Sequence, residues 1–219
     1  MKKIISIILF VLLINIPVLA SESAEENIIK SIAPFIDTDN CTKISRGDCI
    51  ATVMQLIGVD KEISEIYADL DFNQSVFYDI DDNRLNAGYI ILAKYSGVAV
   101  GVNTDTYNIG NFEPNREVTI KECLAFMLRC LKKNTEVKWG NILSDAEKVG
   151  LLQSSEVKYI NDAQLLIGGT FRILLERMLN MNRYLYWPLE VPAPGYAKSM
   201  QVDQVGEIQY IDWILENKL

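Results

Sequence analysis

Ser45-Arg46-Gly47-Asp48-Cys49-Ile50-Ala51 is answered 74 positions later by Thr119-Ile120-Lys121-Glu122-Cys123-Leu124-Ala125. Each block places a hydroxyl residue, an acid three positions on, and then an apolar run. The hydroxyl takes a free backbone N–H of the first turn and the acid folds back onto the cap, so both blocks predict helix starts. The first helix is predicted over 45–57, where Cys49, Ile50, Val53, Leu56 and Ile57 recur at helical spacing and Gly58 stops the run. The second is predicted over 119–132. A weaker third copy is read from Asn161, with a helix over 162–179. There Gln164 takes the place of Asp48 and Glu122, and Leu165-Leu166 follow as Cys49-Ile50 and Cys123-Leu124 do. Gly168 and Gly169 lower its helix propensity. Intervening helices are predicted over 86–97 and over 142–152, the latter with Ser144 as a cap. Three related starts imply a small unit used repeatedly. The expected fold is mainly α, with three pseudo-repeated helix–loop–helix units around a central helical bundle. Such a scaffold suits binding better than catalysis.

The segments outside these blocks bound the class of protein. Lys2 and Lys3, an apolar run from Ile4 to Ile16, Pro17, and Val18-Leu19-Ala20 form the pattern of a secretory signal over 1–20. About 13 apolar residues are too few to span a bilayer comfortably, so no stable membrane insertion of the mature chain is expected. Residues 21–42 read as a polar, acidic leader followed by a short packing segment broken at Pro34. Residues 43–180 hold the repeats. Residues 181–219 form a proline-rich, aromatic tail (Tyr184, Tyr186, Trp187, Tyr196) with a short final helix over 208–215. The tail aromatics either staple it to the core, which is their ordinary fate, or make a recognition strip.

The chain carries 21 basic and 29 acidic residues, a net charge of −8, and cleavage after residue 20 would deepen this to about −10. That surface repels phosphate, so nucleic acid is not an expected partner. Histidine is absent. A Ser-His-Asp or Cys-His mechanism is thereby excluded within this chain. Asp79, Asp81 and Asp82 are paired carboxylates, but they sit in a polar segment without a framing catalytic motif, and 79–83 lacks the glycine and terminal glutamate of a calcium loop. Catalysis, a metal site and a cofactor are not expected. Of the four cysteines, Cys123 and Cys130 are seven apart on one helix, about 10 Å along its axis, too far for a disulfide. Cys49, Cys123 and Cys130 are read as small buried apolar residues.

Taken together, these elements resemble the S-layer homology domain family. Its repeats open on a helix start of the form Ile-Thr-Arg-Ala-Glu, and Ile44-Ser45-Arg46-Gly47-Asp48 is a near copy. They also carry a glycine-containing loop and a Phe-x-Pro just before that helix, as Gly110-Asn111-Phe112-Glu113-Pro114 precedes Val118-Thr119-Ile120-Lys121-Glu122. The stretch Ala87 to Val98 is similar to the family's intervening helix, and Ala146 to Leu152 to a second copy of it. The resemblance implies three α-helical repeats in a pseudo-threefold arrangement that attach an exported protein to an anionic secondary polysaccharide of the bacterial cell wall. The motif arginine would help to hold the sugar's carboxylate. Only Arg46 keeps that arginine; Ile120 replaces it in the second copy, with Lys121 beside it, and Asp162 in the third.

The expected function is therefore that of a secreted, non-enzymatic protein of the cell surface. Glycan contact is assigned to Arg46, Ser45 and Lys121, and structural capping to Asp48, Thr119 and Glu122. The alternative is a protein–protein interaction module of the cell surface that has lost glycan binding, its partner a surface protein.

Overall fold

The structure, a computed structural model, describes residues 24–34, 36–37, 41–59, 76–80, 86–102, 110–131 and 137–181. The signal segment 1–20 and the tail from 182 onward, with its expected helix over 208–215, lie outside the described residues, as do Asp81 and Asp82. The described chain is mainly α. Its helices are α1 (Ala24–Ile32), α2 (Arg46–Leu56), α3 (Ala87–Tyr95), α4 (Ile120–Leu131), α5 (Ile142–Val149), α6 (Ser154–Val157) and α7 (Gly168–Leu179), with a 3-10 turn at Trp139–Asn141 before α5.

Three short extended segments, each running into a helix, meet at the centre. The N–H of Ile44 donates to the carbonyl of Leu166, that of Leu166 to Val118, and that of Val118 back to Ile44, at 3.2, 2.8 and 2.9 Å. An outer set runs in the opposite sense: Arg46 N–H to Arg116 O, Ile120 N–H to Gln164 O and Gly168 N–H to Thr42 O, at 2.8, 2.9 and 3.0 Å. The ring is closed: within each set a segment donates to one neighbour and accepts from the other, and the two sets together pair every segment reciprocally with both. It solves a specific problem. The first N–H groups of a helix have no partner within it, and buried backbone groups must find one. Here each opening N–H of α2, α4 and α7 is taken by the next segment's carbonyl. The ring residues themselves are buried: Ile44 is 3 % exposed, Val118 and Leu166 0 %.

The helices that leave the ring share the core. Cys49 in α2, Cys123 in α4 and Phe171 in α7 each stand four residues beyond the helix-opening cap position, and all three are 0 % exposed. Burial pushes the Cys123 thiol well up from its ordinary value, and the neighbouring Cys49 adds to the shift. Cys130 is also buried and Cys41 is exposed. α2 packs against α3 and α4, α4 against α5, and α7 against α1. Phe112 bridges Phe77 and Phe126, with ring centroids at 5.3 and 6.4 Å. Helix α1 contributes Ile28, Ile29 and Ile32 to the same core.

The third copy differs in register from the sequence expectation. Its helix begins at Gly168, six residues later than the expected 162, and Leu165 lies in the extended segment, bridged to Thr119. Asn161 accepts the Ala163 N–H through Oδ1 and the Gln164 N–H through its carbonyl, so it closes a turn and caps no helix. The place matching Arg46 and Ile120 is thus Gly168, and Asp162 is no counterpart of either. Ser144 is likewise inside α5, its hydroxyl donating to the Asn141 carbonyl.

Candidate functional site

The opening turn of α2 is built by its own side chains. Ser45, extended at φ −74, ψ 154, accepts the Asp48 N–H through Oγ at 3.0 Å, and its hydroxyl donates to Asp48 Oδ2 at 2.6 Å. Asp48 Oδ1 takes the side-chain amide of Asn86, at the head of α3, at 2.8 Å. Gly47 then lets the chain pass under the loop before α4: its N–H donates to Pro114 O at 2.8 Å, and a Cβ there would lie 3.1 Å from that oxygen. The result is an open groove of about 310 Å³ lined by Ser45, Gly47, Asp48, Asn86, Ile90, Pro114 and Asn115. Hydroxyl, carboxylate and amide groups converge over an apolar floor. That is the donor and acceptor mix of a polar-ligand site.

Arg46 does not face this groove. Its side chain is 5 % exposed and its guanidinium donates to Glu122 Oε1 at 2.6 Å and to the Val100 carbonyl at 2.9 Å. It lies over the Phe112 and Phe126 rings, 4.8 and 5.0 Å from their centroids. Burial pulls its pKa down, Glu122 opposes that and Arg116 adds to it; a guanidinium remains a cation throughout. The expected accessible position for Arg46 is therefore corrected: the charge is spent inside the fold, across the seam between α2 and α4.

Glu122 is the hub of that seam. It closes the opening turn of α4, accepting the Thr119 N–H at 3.0 Å while Thr119 Oγ1 accepts the Glu122 N–H at 3.2 Å. It also binds Arg116 at 2.6 and 3.1 Å, and Arg116 reaches Glu113 at 2.6 Å. The Glu122 hydrogen bond raises the Arg116 pKa above its ordinary value, burial offsets part of this, and Glu113 adds to the rise. Glu113 sits at φ 60, a conformation costly for a side chain other than glycine. Asp79 holds it there, its two oxygens accepting the Phe112 and Glu113 N–H groups at 2.7 Å each. Asp79 is thus committed to the backbone of the Phe-x-Pro loop.

Lys121, the second residue of α4, is 8 % exposed and bonded to Asp162 at 2.7 Å. Its ammonium lies 4.7 Å from the centroid of the Trp139 ring. Sequence reasoning assigned no role to Asn86, Asn115, Asp79 or Trp139. Asn86 and Asn115 carry no motif and come to one groove only in three dimensions. Asp79 could have been sought as an acid beside the buried Phe77, and Trp139 as an aromatic just ahead of the α5 pattern.

No family model matches the chain, and no solved structure matches it. Over 160 residues it is 28% identical to a "Cell surface protein" of Thermoanaerobacter kivui; the match takes in 73% of this chain and 18% of that protein. The chain thus spans less than a fifth of its relative's length. Among the described residues no helix is long and apolar enough to cross a membrane.

Proposed function

We propose that the chain is a non-enzymatic protein of the cell surface that attaches to a cell-wall glycan through the groove at the opening of α2. The observation that carries this reading is the closed ring of backbone hydrogen bonds at 42–46, 116–120 and 164–168. It gathers three helix openings about one centre, as the resemblance to S-layer homology domains implies, and supports a degenerate pseudo-threefold unit of that kind. The similarity to a protein described as a cell surface protein points the same way.

The groove departs from the expectation of an arginine gripping an anionic sugar. Arg46 and Lys121 are both held by carboxylates of the protein, and Asp48 brings negative charge to the groove wall. Its hydroxyl, carboxylate and amide groups suit the hydroxyls of an uncharged saccharide. Sedimentation with purified wall sacculi tests this. The protein is expected to pellet with sacculi, with little loss as salt rises, because binding through hydroxyls is not screened as ion pairs are. Asn86→Ala or Asn115→Trp, the latter filling the groove, is expected to weaken pelleting about tenfold, the effect of losing about 1.4 kcal/mol. A protein that stays in the supernatant at every salt concentration refutes the reading.

The commitment of Arg46 and Lys121 to internal carboxylates also favours a second reading, an interaction module for another surface protein. Cross-linking on intact cells separates the two: one dominant protein adduct that survives removal of wall polysaccharide supports the second and counts against the first.

A further inference from the structure

At the seam between the second and third ring segments, three side chains from separate parts of the chain meet: Trp139 from the 3-10 turn, Lys121 from α4 and Asp162 from the turn before the third segment. Trp139 is 49 % exposed, unusual for the side chain with the largest apolar surface. Its ring carries the Lys121 ammonium 4.7 Å from the centroid. That ammonium is nearly buried and is neutralised by Asp162, whose side chain is 71 % exposed. The parts are rigidly placed: Ile120 N–H to Gln164 O fixes α4 against the third segment, and Asn161 closes the turn that presents Asp162.

We propose that this cluster is a second saccharide contact, in which Trp139 stacks on the C–H face of a pyranose ring and Asp162 accepts hydrogen bonds from its hydroxyls. This rests on the glycan-binding reading and adds a point of attachment outside the α2 groove. Lys121 is a positioning residue: buried between indole and carboxylate, it sets both at once and offers no accessible charge to a ligand. The pair Lys121–Asp162 is neutral overall and its outward partner is the carboxylate. The site therefore selects an uncharged pyranose and disfavours one bearing a carboxylate or phosphate. A single stacked ring gives weak binding, of the order of millimolar to tens of millimolar, and the two contacts together raise the avidity for a polymer.

The indole N–H signal of Trp139, assigned by its disappearance in Trp139→Phe, is followed by NMR while full-length protein is titrated with methyl β-glucopyranoside, methyl β-galactopyranoside, N-acetylglucosamine and, as the charged counterpart, galacturonate. A saturable shift with at least one neutral sugar, a weaker response to galacturonate, and at least about fivefold weaker binding in Asp162→Asn support the proposal. A signal unmoved by all the neutral sugars, or moved equally by galacturonate, overturns it. Thermal melts of the variants establish that they fold. Sacculus sedimentation keeps the two readings apart. Wild-type protein that pellets but shows no Trp139 shift defeats this proposal alone. A Trp139 shift without pelleting leaves it standing and defeats the wall-attachment reading.

Discussion

Glu122 carries more of the molecule than its position in a helix-opening motif suggests. Burial pushes its carboxyl up, but the Arg116 hydrogen bond, the Thr119 N–H and the Arg46 charge together outweigh burial, so its pKa in the folded protein lies below the ordinary 4.5. A carboxyl that is more acidic when folded stabilises fully above its unfolded value. That stabilisation drains away as pH falls from there through the folded value. The native protein is therefore expected to lose stability below about pH 4.5. Glu122→Gln, which cannot titrate, should start about 3 kcal/mol lower at neutral pH, because Arg46 is left buried without its partner, and should fall less steeply in acid. Part of the slope will remain, since the Arg177 hydrogen bond also lowers Glu156 against a smaller burial effect. Urea unfolding across that range checks this; parallel curves for the two proteins would show that the Glu122 carboxylate does not carry the effect. The hydroxyl-and-acid spacing at 119 and 122 is readable from sequence, and it carries through to two hydrogen bonds. What spacing could not convey is that the same carboxylate, besides Arg116 six residues before it, binds Arg46 from 76 positions away.

Among the elements, the helices that begin with hydroxyl-and-acid blocks fall close to where the pattern puts them: 45–57 becomes Arg46–Leu56 and 119–132 becomes Ile120–Leu131. The third helix does not, and the reason is physical. Ile167, in the cap position of α7, makes no side-chain cap hydrogen bond, so no local signal marks the true start, while Asn161 offers a false one by closing a turn. The ring takes the first N–H of α7, that of Gly168, as it takes those of Arg46 and Ile120, a long-range arrangement that no neighbouring residue announces. Gly47 and Gly169 occupy the same place in α2 and α7, one residue past the helix opening, and make opposite predictions. A Cβ on Gly47 would meet Pro114 O at 3.1 Å and Pro114 Cβ at 3.4 Å, whereas one on Gly169 meets nothing within 4 Å. Gly47→Ala should destabilise by about 1–3 kcal/mol, as overpacking does. Gly169→Ala should stabilise by up to about 1 kcal/mol through the lost freedom of the unfolded chain and better helix propensity. Thermal melts of the two variants measure both, and equal shifts would contradict the ring register.

At the scale of the whole molecule the ring makes the fold an all-or-none object. Each of its segments takes part in four of the six bonds: the first, for example, through Ile44 N–H, Ile44 O, Arg46 N–H and Thr42 O. No segment can leave without stripping the partner from the opening N–H of its own helix and of one neighbour's, and the buried Arg46–Glu122 pair ties α2 to α4 besides. A chain of independent helix pairs would lose its parts one at a time, with each amide exchanging at the stability of its own unit. Here the amides of Ile44, Val118 and Leu166 are expected to exchange with one common free energy, equal to that of global unfolding by urea. Those of α6, which has no buried residue, should exchange far faster through local opening. The three belong to segments as far apart as 42 and 168, so a shared value cannot arise from sequence proximity. A Leu166 amide exchanging at a free energy more than about 1 kcal/mol below the other two would mean that the third segment opens by itself. The weaker helix-opening sequence of that copy would then be mirrored in a weaker hold on the ring.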